Sequence, residues 1–428
     1  MVARSDVHYF GAGPAPLPTN VLEEAAKVLL NYKDKGIGIC EISHRSPDAN
    51  EILANTKASL AKLLDIPEDY EILFLQSGGS GEFSAVVYNL VSIWVEQRRV
   101  KAAEQELGSS GSVKTWGDAV FKRLQKEVAE ELKLDYLVTG SWSLKASQEA
   151  ARLVGAKHVN VAVDSRKAND GKFGVIPPES EWTPSKKAAF TYFCDNETVD
   201  GVEFPAFPKS LEEENAPLVV ADMSSNFISR KVDVSKYAVI FGGAQKNIGN
   251  TGITIVILRK SLLPPASATA DPELLRALGL PVGPIVLDWP TIAKNNSLYN
   301  TLPIFDVWIA GQVMSGLEST YGVKKISGQE EVSNDKAAMI YGVLDKYSEV
   351  YRVVPHKSAR SRMNICFRVN GGDAEKEKAF LTGAEKVGLL GLKGHRSVGG
   401  IRASNYNAVS LDGAKKLVAY LEDYAEAA

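Results

Sequence analysis

Short apolar runs alternate with longer segments of helical periodicity along most of the chain, and this alternation limits the possible folds more than any other feature. Parallel strands that are buried on both faces have near-continuous apolar sequences, and they need helical crossovers between them. The sequence therefore predicts an α/β fold with a mainly parallel sheet flanked by helices. The predicted strands are 72–75, 136–139, 188–193, 218–222, 239–241 and 253–258.

The pattern changes near residue 329, which predicts a second and smaller unit. A helix around 332–344 is followed by strand-like runs at 351–354 and 364–369, and then by helices near 374–387 and 412–425. This order is typical of an α+β domain. We therefore divide the 428 residues into a large domain at 17–328 and a small C-terminal domain at 329–428. The segment 1–16 is expected to pack with the small domain.

A charged stretch at about 98–135 interrupts the large domain and resembles an insertion. It contains the sequence Ser109-Ser110-Gly111-Ser112, which favours a flexible connection. Beyond it, apolar residues recur every four positions, which predicts an amphipathic helix packed on the main body. These residues are Trp116, Val120, Leu124 and Val128.

Charge and cysteine content exclude several classes of protein. The formal net charge of -3 provides no basic field for nucleic acid or an anionic membrane. Cys40, Cys194 and Cys366 lie far apart, so neither a disulfide framework nor a metal site is predicted. No apolar run approaches the roughly 20 residues that span a bilayer, and no signal sequence is evident. A soluble, cytoplasmic protein is expected.

Two charged residues follow or end predicted strands. Asp222 ends one strand, and Lys246 follows the next strand in a glycine-rich segment. Carboxyl ends of parallel strands meet at the edge of the sheet where ligands bind, so both side chains are candidates for one site. Taken singly, Lys246 could be a surface lysine and Asp222 could cap a helix.

The loop Ser77–Gly81 and the residue Trp142 also follow predicted strands. Glycines between a strand and a helix let backbone N–H groups approach a phosphate, although a plain turn is the alternative for this loop. Trp142 could stack on a flat ring or pack in the core. Glycine loop, aromatic residue, aspartate and lysine occur here in the order found in fold-type I pyridoxal-phosphate enzymes.

Seven motifs in register resemble the phosphoserine aminotransferase family over almost the whole chain. They are Phe10–Ala15, Glu41–Arg45, Asn196–Gly201, Ala221–Ser225, Gly243–Gly249, Tyr299–Pro303 and Leu392–Ser404. The resemblance implies a fold-type I, class V transaminase and a homodimer with shared active sites. The implied reaction converts 3-phosphohydroxypyruvate and L-glutamate to O-phospho-L-serine and 2-oxoglutarate, a step of serine biosynthesis, by a ping-pong mechanism.

The same resemblance assigns roles to individual residues. Lys246 is similar to the lysine that forms a Schiff base with pyridoxal 5'-phosphate, and Asp222 to the partner of the pyridine nitrogen. The other cofactor positions are Gly79, Ser80, Trp142, Thr198 and Gln245, with Asn300 and Thr301 reaching the phosphate from the second subunit. The substrate positions are His44, Arg45, His395, Arg396 and Arg402.

Arginine suits this reaction because its planar fork binds either a carboxylate or a phosphate in bidentate fashion. Arg402 would hold the α-carboxylate that all four substrates and products share. The cations at 44–45 and 395–396 would take the distal phosphate or carboxylate. Ser80 stands where some bacterial relatives carry an arginine, which bears on substrate affinity rather than on the reaction.

Four other functions remain open at this point. An alanine–glyoxylate or serine–pyruvate aminotransferase of class V would not need the cations at 44–45 and 395–396. A cysteine desulfurase would need a mobile reactive cysteine, which none of the three cysteines resembles. A nucleotide-binding Rossmann protein would have no use for Lys246. An inactive binding protein would not need Asp222, Lys246 and Arg402 together.

Overall fold

The computed structural model describes residues 2–107, 116–213 and 216–427. The helices are α1 (Thr19–Val28), α2 (Pro47–Leu64), α3 (Gly78–Leu107), α4 (Asp118–Glu131), α5 (Ser141–Val154), α6 (Pro272–Ala277), α7 (Trp289–Lys294), α8 (Ile304–Tyr321), α9 (Ile326–Lys346), α10 (Ala374–Lys386) and α11 (Leu411–Glu426). The strands are β1 (His8–Tyr9), β2 (Tyr70–Leu75), β3 (Leu134–Val138), β4 (Val159–Asp164), β5 (Phe190–Cys194), β6 (Asn196–Glu197), β7 (Val202–Glu203), β8 (Leu218–Asp222), β9 (Val239–Gly243), β10 (Thr254–Arg259), β11 (Tyr351–Val353), β12 (Asn364–Val369), β13 (Leu389–Leu390) and β14 (Ile401–Ser404).

A seven-stranded sheet in the order β2-β10-β9-β8-β5-β3-β4 forms the centre of the molecule. All of its strands run parallel except β10, which is antiparallel to both of its neighbours. Helices cover both faces, as the near-continuous apolar strands require. The predicted α/β class and the six predicted strands are confirmed.

Each face of this sheet has its own hydrophobic core. Along β2, Ile72 and Phe74 enter the core that includes α2 and α8, whereas Leu73 and Leu75 enter the core beneath α3 and α5. This division follows from the two-residue period of a strand, which turns successive side chains to opposite faces. The two cores hold the sheet fixed, so the loops at its carboxyl edge start from rigid positions.

A second sheet, in the order β11-β12-β14, lies in the C-terminal part of the chain. Its core includes residues of α9, α10 and α11, and Phe10 from the N-terminal segment joins it. Strand β1 also pairs in parallel with β13. The division at residue 329 falls inside α9, and the domain boundaries therefore stay a prediction.

The charged stretch at 98–135 is partly continuous with the main fold. Residues 98–107 extend α3, and α4 buries the predicted apolar positions Val120, Leu124 and Val128. Arg98 joins the two helices through Glu127 and Glu131, at 3.2 and 2.9 Å. The amphipathic helix is confirmed for these three positions, but it begins at Asp118, so the predicted Trp116 lies before it. The predicted flexible residues 109–112 lie outside the described residues.

Buried hydrogen bonds join the small sheet to the segments around Lys246. The Asn196 side chain donates to Asn364 Oδ1 at 2.8 Å, and Asn364 donates to the Tyr406 hydroxyl at 3.1 Å. The Tyr406 hydroxyl in turn donates to the carbonyl oxygen of Ala12 at 2.9 Å. Each of these polar groups is satisfied without water, which fixes the small sheet against the N-terminal segment.

Lys336 on α9 is fully buried and donates to the carbonyl oxygens of Tyr406 and Val409, at 3.0 and 2.7 Å. Burial lowers the pKa of its amine to about 7. A lysine of the unfolded chain titrates near 10.5. Between these values the unfolded chain binds more protons than the folded protein, so the free energy of unfolding rises with pH.

This titration gives a test with Lys336→Met. The destabilising contribution of Lys336 is complete below pH 7 and is removed as the pH rises above it. Between about pH 7 and about pH 9, the free energy of unfolding of the parent should therefore rise by roughly 2 kcal/mol relative to that of the variant. Urea denaturation measures the difference. Lys386→Met replaces an exposed lysine of α10 and should have the same pH dependence of the free energy of unfolding as the parent. If Lys336→Met has that same pH dependence, the buried amine is not its cause.

Candidate active site

The predicted site residues of the large domain meet at the carboxyl edge of the seven-stranded sheet. Asp222 is the last residue of β8, and Lys246 lies three residues beyond the end of β9. The glycine loop follows β2, and Trp142 is the second residue of α5, just after β3. Because these four strands run parallel in one sheet, their carboxyl ends lie at the same edge and bring the side chains together.

These residues enclose a cavity of about 150 Å³, which we call the inner cavity. It is lined by Gly79, Ser80, Phe83, Trp142, Cys194, Asn196, Thr198, Asp222, Ser224, Ser225, Gln245 and Lys246. Seven of the predicted cofactor positions are among them. The structure thus brings together the glycine loop, the aromatic residue, the carboxylate and the lysine that the sequence placed far apart.

The Lys246 amine is enclosed at this site and is not a surface lysine. It donates a hydrogen bond to the Thr198 hydroxyl at 2.6 Å. Burial lowers the pKa of the amine to about 8, while the negative charge of Asp222 acts in the opposite direction. An appreciable fraction of the amine is therefore neutral near pH 7–8, as a nucleophile or general base requires.

The two oxygens of the Asp222 carboxylate have different surroundings. Oδ1 accepts hydrogen bonds from the Ser224 backbone N–H at 2.8 Å and from the Ser224 hydroxyl at 2.6 Å. Among the described residues, Oδ2 accepts no hydrogen bond, and it faces Gly79, where an added Cβ would lie 4.0 Å away. Burial raises the pKa of this carboxyl, so a cationic partner at Oδ2 would stabilise its charged form.

The glycine loop leads directly into the N-terminus of the long helix α3, which begins at Gly78. Gly78 has a φ of +59°, a value that favours glycine. The Ser77 hydroxyl donates to Glu82 Oε2 at 2.7 Å, and Glu82 also accepts from the Trp289 indole at 3.2 Å. The loop is therefore fixed from beneath, with the backbone of Gly79 and Ser80 facing the cavity.

Trp142 lies across the inner cavity, with its ring centroid 6.4 Å from that of Phe83. Its buried indole N–H has no hydrogen-bond partner among the residues that the structure describes. The ammonium of Lys145 lies 4.2 Å from the ring centroid. The backbone of this helix end is held by the carboxylates of Glu197 and Asp200. Burial raises the pKa of Glu197 to about 8 and that of Asp200 above its usual range.

Arg402 on β14 belongs to a neighbouring cavity of about 530 Å³, which we call the outer cleft. Its guanidinium donates from Nη1 to the Thr198 carbonyl oxygen at 3.1 Å, and the buried Nε finds no partner within the described ranges of the chain. His395 also lines this cleft and contacts the Ser397 hydroxyl at 2.6 Å. Burial and the adjacent cations, Arg402 first, lower the pKa of His395. Arg396 beside it is exposed.

Five predicted residues, Arg396 among them, do not line either cavity in the single chain. His44 and Arg45 lie in the loop before α2, and Arg45 is exposed. Asn300 and Thr301 are exposed in the segment between α7 and α8. The Asn300 amide donates to the Gln76 side chain at 2.5 Å, at the start of the glycine loop.

The residues present fit pyridoxal phosphate. A helix N-terminus with glycines suits the phosphate, and an aromatic face suits the ring. The free Oδ2 of Asp222 suits a protonated ring nitrogen, and the Lys246 amine suits an aldehyde carbon. Among the described residues, no group of His, Cys, Asp and Glu side chains is arranged to hold a metal ion. None of the described helices has the length and apolarity to cross a bilayer.

Several site residues had no role assigned from the sequence. Phe83, Cys194, Asn196, Ser224 and Ser225 line the inner cavity. Gly13 approaches Lys246 so closely that an added Cβ would lie 3.7 Å from its Cε atom. Most of these residues lie in or beside the motifs of the sequence, but only the folded chain shows which member of a motif faces the cavity.

The sequence profile described as aminotransferase class-V matches residues 7–116 and 110–417 of the chain. The phosphoserine aminotransferase of Saccharomyces cerevisiae is 42% identical over 428 residues, which cover 99% of this chain and 98% of that protein.

Two solved structures are also similar over nearly their full lengths. Phosphoserine aminotransferase from Bacillus circulans subsp. alkalophilus is 32% identical, with a TM-score of 0.79 and 98% of each chain covered. The PLP-bound phosphoserine aminotransferase from Trichomonas vaginalis is 31% identical, with a TM-score of 0.78, and the match covers 97% of this chain and 99% of that one.

Proposed function

This chain belongs to the phosphoserine aminotransferase family of class-V aminotransferases, and we propose that it converts 3-phosphohydroxypyruvate and L-glutamate to O-phospho-L-serine and 2-oxoglutarate. The observation that carries this proposal is the enclosure of the Lys246 amine opposite the free oxygen of Asp222 in one cavity. The class-V alternative, an alanine–glyoxylate or serine–pyruvate aminotransferase, has less support.

Residues of the inner cavity would hold pyridoxal phosphate and carry the proton transfers. When bound, the cofactor supplies an electron sink that stabilises negative charge at the substrate α-carbon. Lys246 Nζ removes the proton from that carbon as a general base and returns a proton as a general acid. The Thr198 hydroxyl orients the amine, and Asp222 Oδ2 holds the ring-nitrogen proton in place. The Trp142 ring closes one face of the cavity against water.

Arg402 would bind the α-carboxylate common to both amino acids and both oxo acids. Its position between the Thr198 carbonyl oxygen and the outer cleft leaves the remaining N–H donors for a ligand. His395 and Arg396 would contribute to the site of the distal phosphate or carboxylate. In a ping-pong reaction both pairs use one site, so these contacts must accept either anion.

A homodimer would complete the active site. Arg45, Asn300 and Thr301 are exposed on the single chain, which is where residues donated to a partner must lie, whereas His44 beside Arg45 is half-buried. Several large apolar side chains are also exposed, as at a subunit interface; they include Val282, Ile285, Val286 and Tyr299. We place the enzyme in the cytoplasm, in keeping with its free thiols.

The first half-reaction separates the two class-V functions. The parent enzyme is mixed with O-phosphoserine or with alanine, and the loss of the visible cofactor band is followed. The distal cations should favour phosphoserine by at least about 10²-fold in kcat/KM, since a site that binds a charged group discriminates strongly against analogues that lack it. Equal or faster reaction with alanine would support the alternative.

Replacing Arg402 with lysine should weaken the binding of all substrates to a similar extent. Lysine keeps the charge but loses the bidentate fork, so the KM values of glutamate and phosphoserine should both rise by about 10-fold to 100-fold. Steady-state kinetics with each substrate measures the change. Arg166→Lys is the control, because Arg166 lines the outer cleft but is paired with Asp164 at 2.6 Å. A rise for only one substrate would refute the shared α-carboxylate contact.

A further inference from the structure

The N-terminus of α5 is held by a chain segment about 55 residues away. Glu197 Oε2 accepts the backbone N–H of Trp142 at 2.8 Å, and Oε1 accepts that of Ser143 at 2.9 Å. Asp200 accepts the backbone N–H of Ser141 at 2.6 Å. The free N–H groups of a helix start are normally satisfied by its own N-cap residue. Here the N-cap residue is Gly140, which has no side chain to offer.

Gly140 is also the residue that admits the Glu197 carboxylate. A Cβ atom at this position would overlap the Cβ, Cγ and Cδ atoms of Glu197. The φ of Gly140 is -168°, an extended value that any residue adopts, so the requirement for glycine is one of space. Gly140 and Glu197 are therefore complementary: the first makes the room that the second fills.

The turn that carries Glu197 contacts three groups of the site in succession. Glu197 holds the backbone of Trp142, and the hydroxyl of the next residue, Thr198, accepts from Lys246 at 2.6 Å. The carbonyl oxygen of Thr198 accepts from Arg402 at 3.1 Å. Glu197 is 0% exposed, and it touches neither the inner cavity nor the outer cleft.

We propose that Glu197 is a positioning residue for the aminotransferase reaction, which sets the place of the Trp142 ring over the cofactor by holding the first N–H groups of α5. The two oxygens of the carboxyl group accept from two successive N–H groups within one turn, so the contact fixes both the height and the rotation of the helix end. The inference rests on the proposed function for its kinetic effect, but its spectroscopic effect requires only a bound cofactor.

Glu197→Gln tests the assignment with almost no change in volume. An amide has one acceptor oxygen, and its NH₂ group would face a backbone N–H, so one of the two contacts must break. The ratio of visible circular dichroism to absorbance of the bound cofactor should change by at least about two-fold, because it reports ring orientation and not occupancy. The value of kcat should fall by about 10-fold to 100-fold.

Glu179→Gln is the matched control. Glu179 also accepts two successive backbone N–H groups from a distant segment, those of Lys209 and Ser210 at 3.0 and 2.6 Å. That contact lies outside both cavities. The control should keep the parent dichroism ratio, and it should lose less stability because Glu179 is half-buried whereas Glu197 is fully buried. Gly140→Ala, which displaces the carboxylate by crowding, should reproduce the spectroscopic effect of Glu197→Gln.

A double-mutant cycle with Trp142→Ala decides whether Glu197 acts through the indole. In that background Glu197→Gln should change kcat by less than about three-fold. An equal loss of kcat in both backgrounds, or an unchanged dichroism ratio in folded Glu197→Gln, would overturn the proposal. If the glutamine variant does not fold, Glu197→Asp, which keeps the carboxyl group but shortens its reach, carries the same comparison. The expected change in the dichroism ratio does not depend on which amino acid the parent enzyme transaminates.

Discussion

Lys246→Ala should bind pyridoxal phosphate without a covalent bond and lose transamination by about 10⁴-fold or more. The substitution removes both the nucleophile that holds the cofactor and the general base at the substrate α-carbon, and proton transfer alone contributes up to about 10⁴-fold. Borohydride should attach the cofactor to the parent protein but not to the variant. The visible absorption band of the parent should also be absent.

Chemical rescue separates the loss of a base from a loss of structure. A small primary amine added to Lys246→Ala should restore part of the turnover, since it can enter the space that the side chain leaves. Lys187→Ala removes an exposed lysine and should behave as the parent does. Normal turnover in Lys246→Ala would refute the assignment of Lys246 as the base.

Asp222→Asn should retain the fold and lose about 10³-fold in kcat, an effect typical of removing one preorganised electrostatic contact. The asparagine oxygen can still accept the two hydrogen bonds from Ser224, so the local turn should persist. The charge at Oδ2 is lost, and with it the group that keeps the ring nitrogen protonated. Asp222→Glu, which keeps the charge, should recover part of the rate.

Asp233→Asn is a close control for this change. Asp233 accepts from the backbone N–H of Ser235 at 3.1 Å and from its hydroxyl at 2.6 Å, the same local arrangement that Asp222 makes with Ser224. It is exposed and lines neither cavity. If Asp222→Asn loses no more activity than Asp233→Asn, Asp222 serves only to hold the local turn through its hydrogen bonds from Ser224.

Residues at the ends of strands could be placed from the sequence because their positions depend on local pattern. A buried parallel strand has a continuous apolar sequence, so its carboxyl end is visible in the sequence, and Asp222 and Lys246 follow from it. The antiparallel direction of β10 was not visible in this way. Its apolar run is as continuous as its neighbours', and its direction depends on the short connection from β9.

Other parts of the site depend on contacts between distant segments. The pairing of Gly140 with Glu197 joins segments about 55 residues apart, and neither residue alone suggests the other. The approach of Gly13 to Lys246 spans more than half the chain. His44 and Arg45 were predicted beside His395 and Arg396, but the single chain does not bring them to the outer cleft. In the proposed homodimer, the partner subunit would bring such residues to the cleft.

The decisive assay for the proposed function is amino transfer from glutamate to 3-phosphohydroxypyruvate, measured with the purified protein and added pyridoxal phosphate. O-Phosphoserine and 2-oxoglutarate should accumulate in equal amounts, and Lys246→Ala should form neither at a comparable rate. If the parent protein forms no phosphoserine, or transfers the amino group to glyoxylate or pyruvate in preference, the proposed function is contradicted.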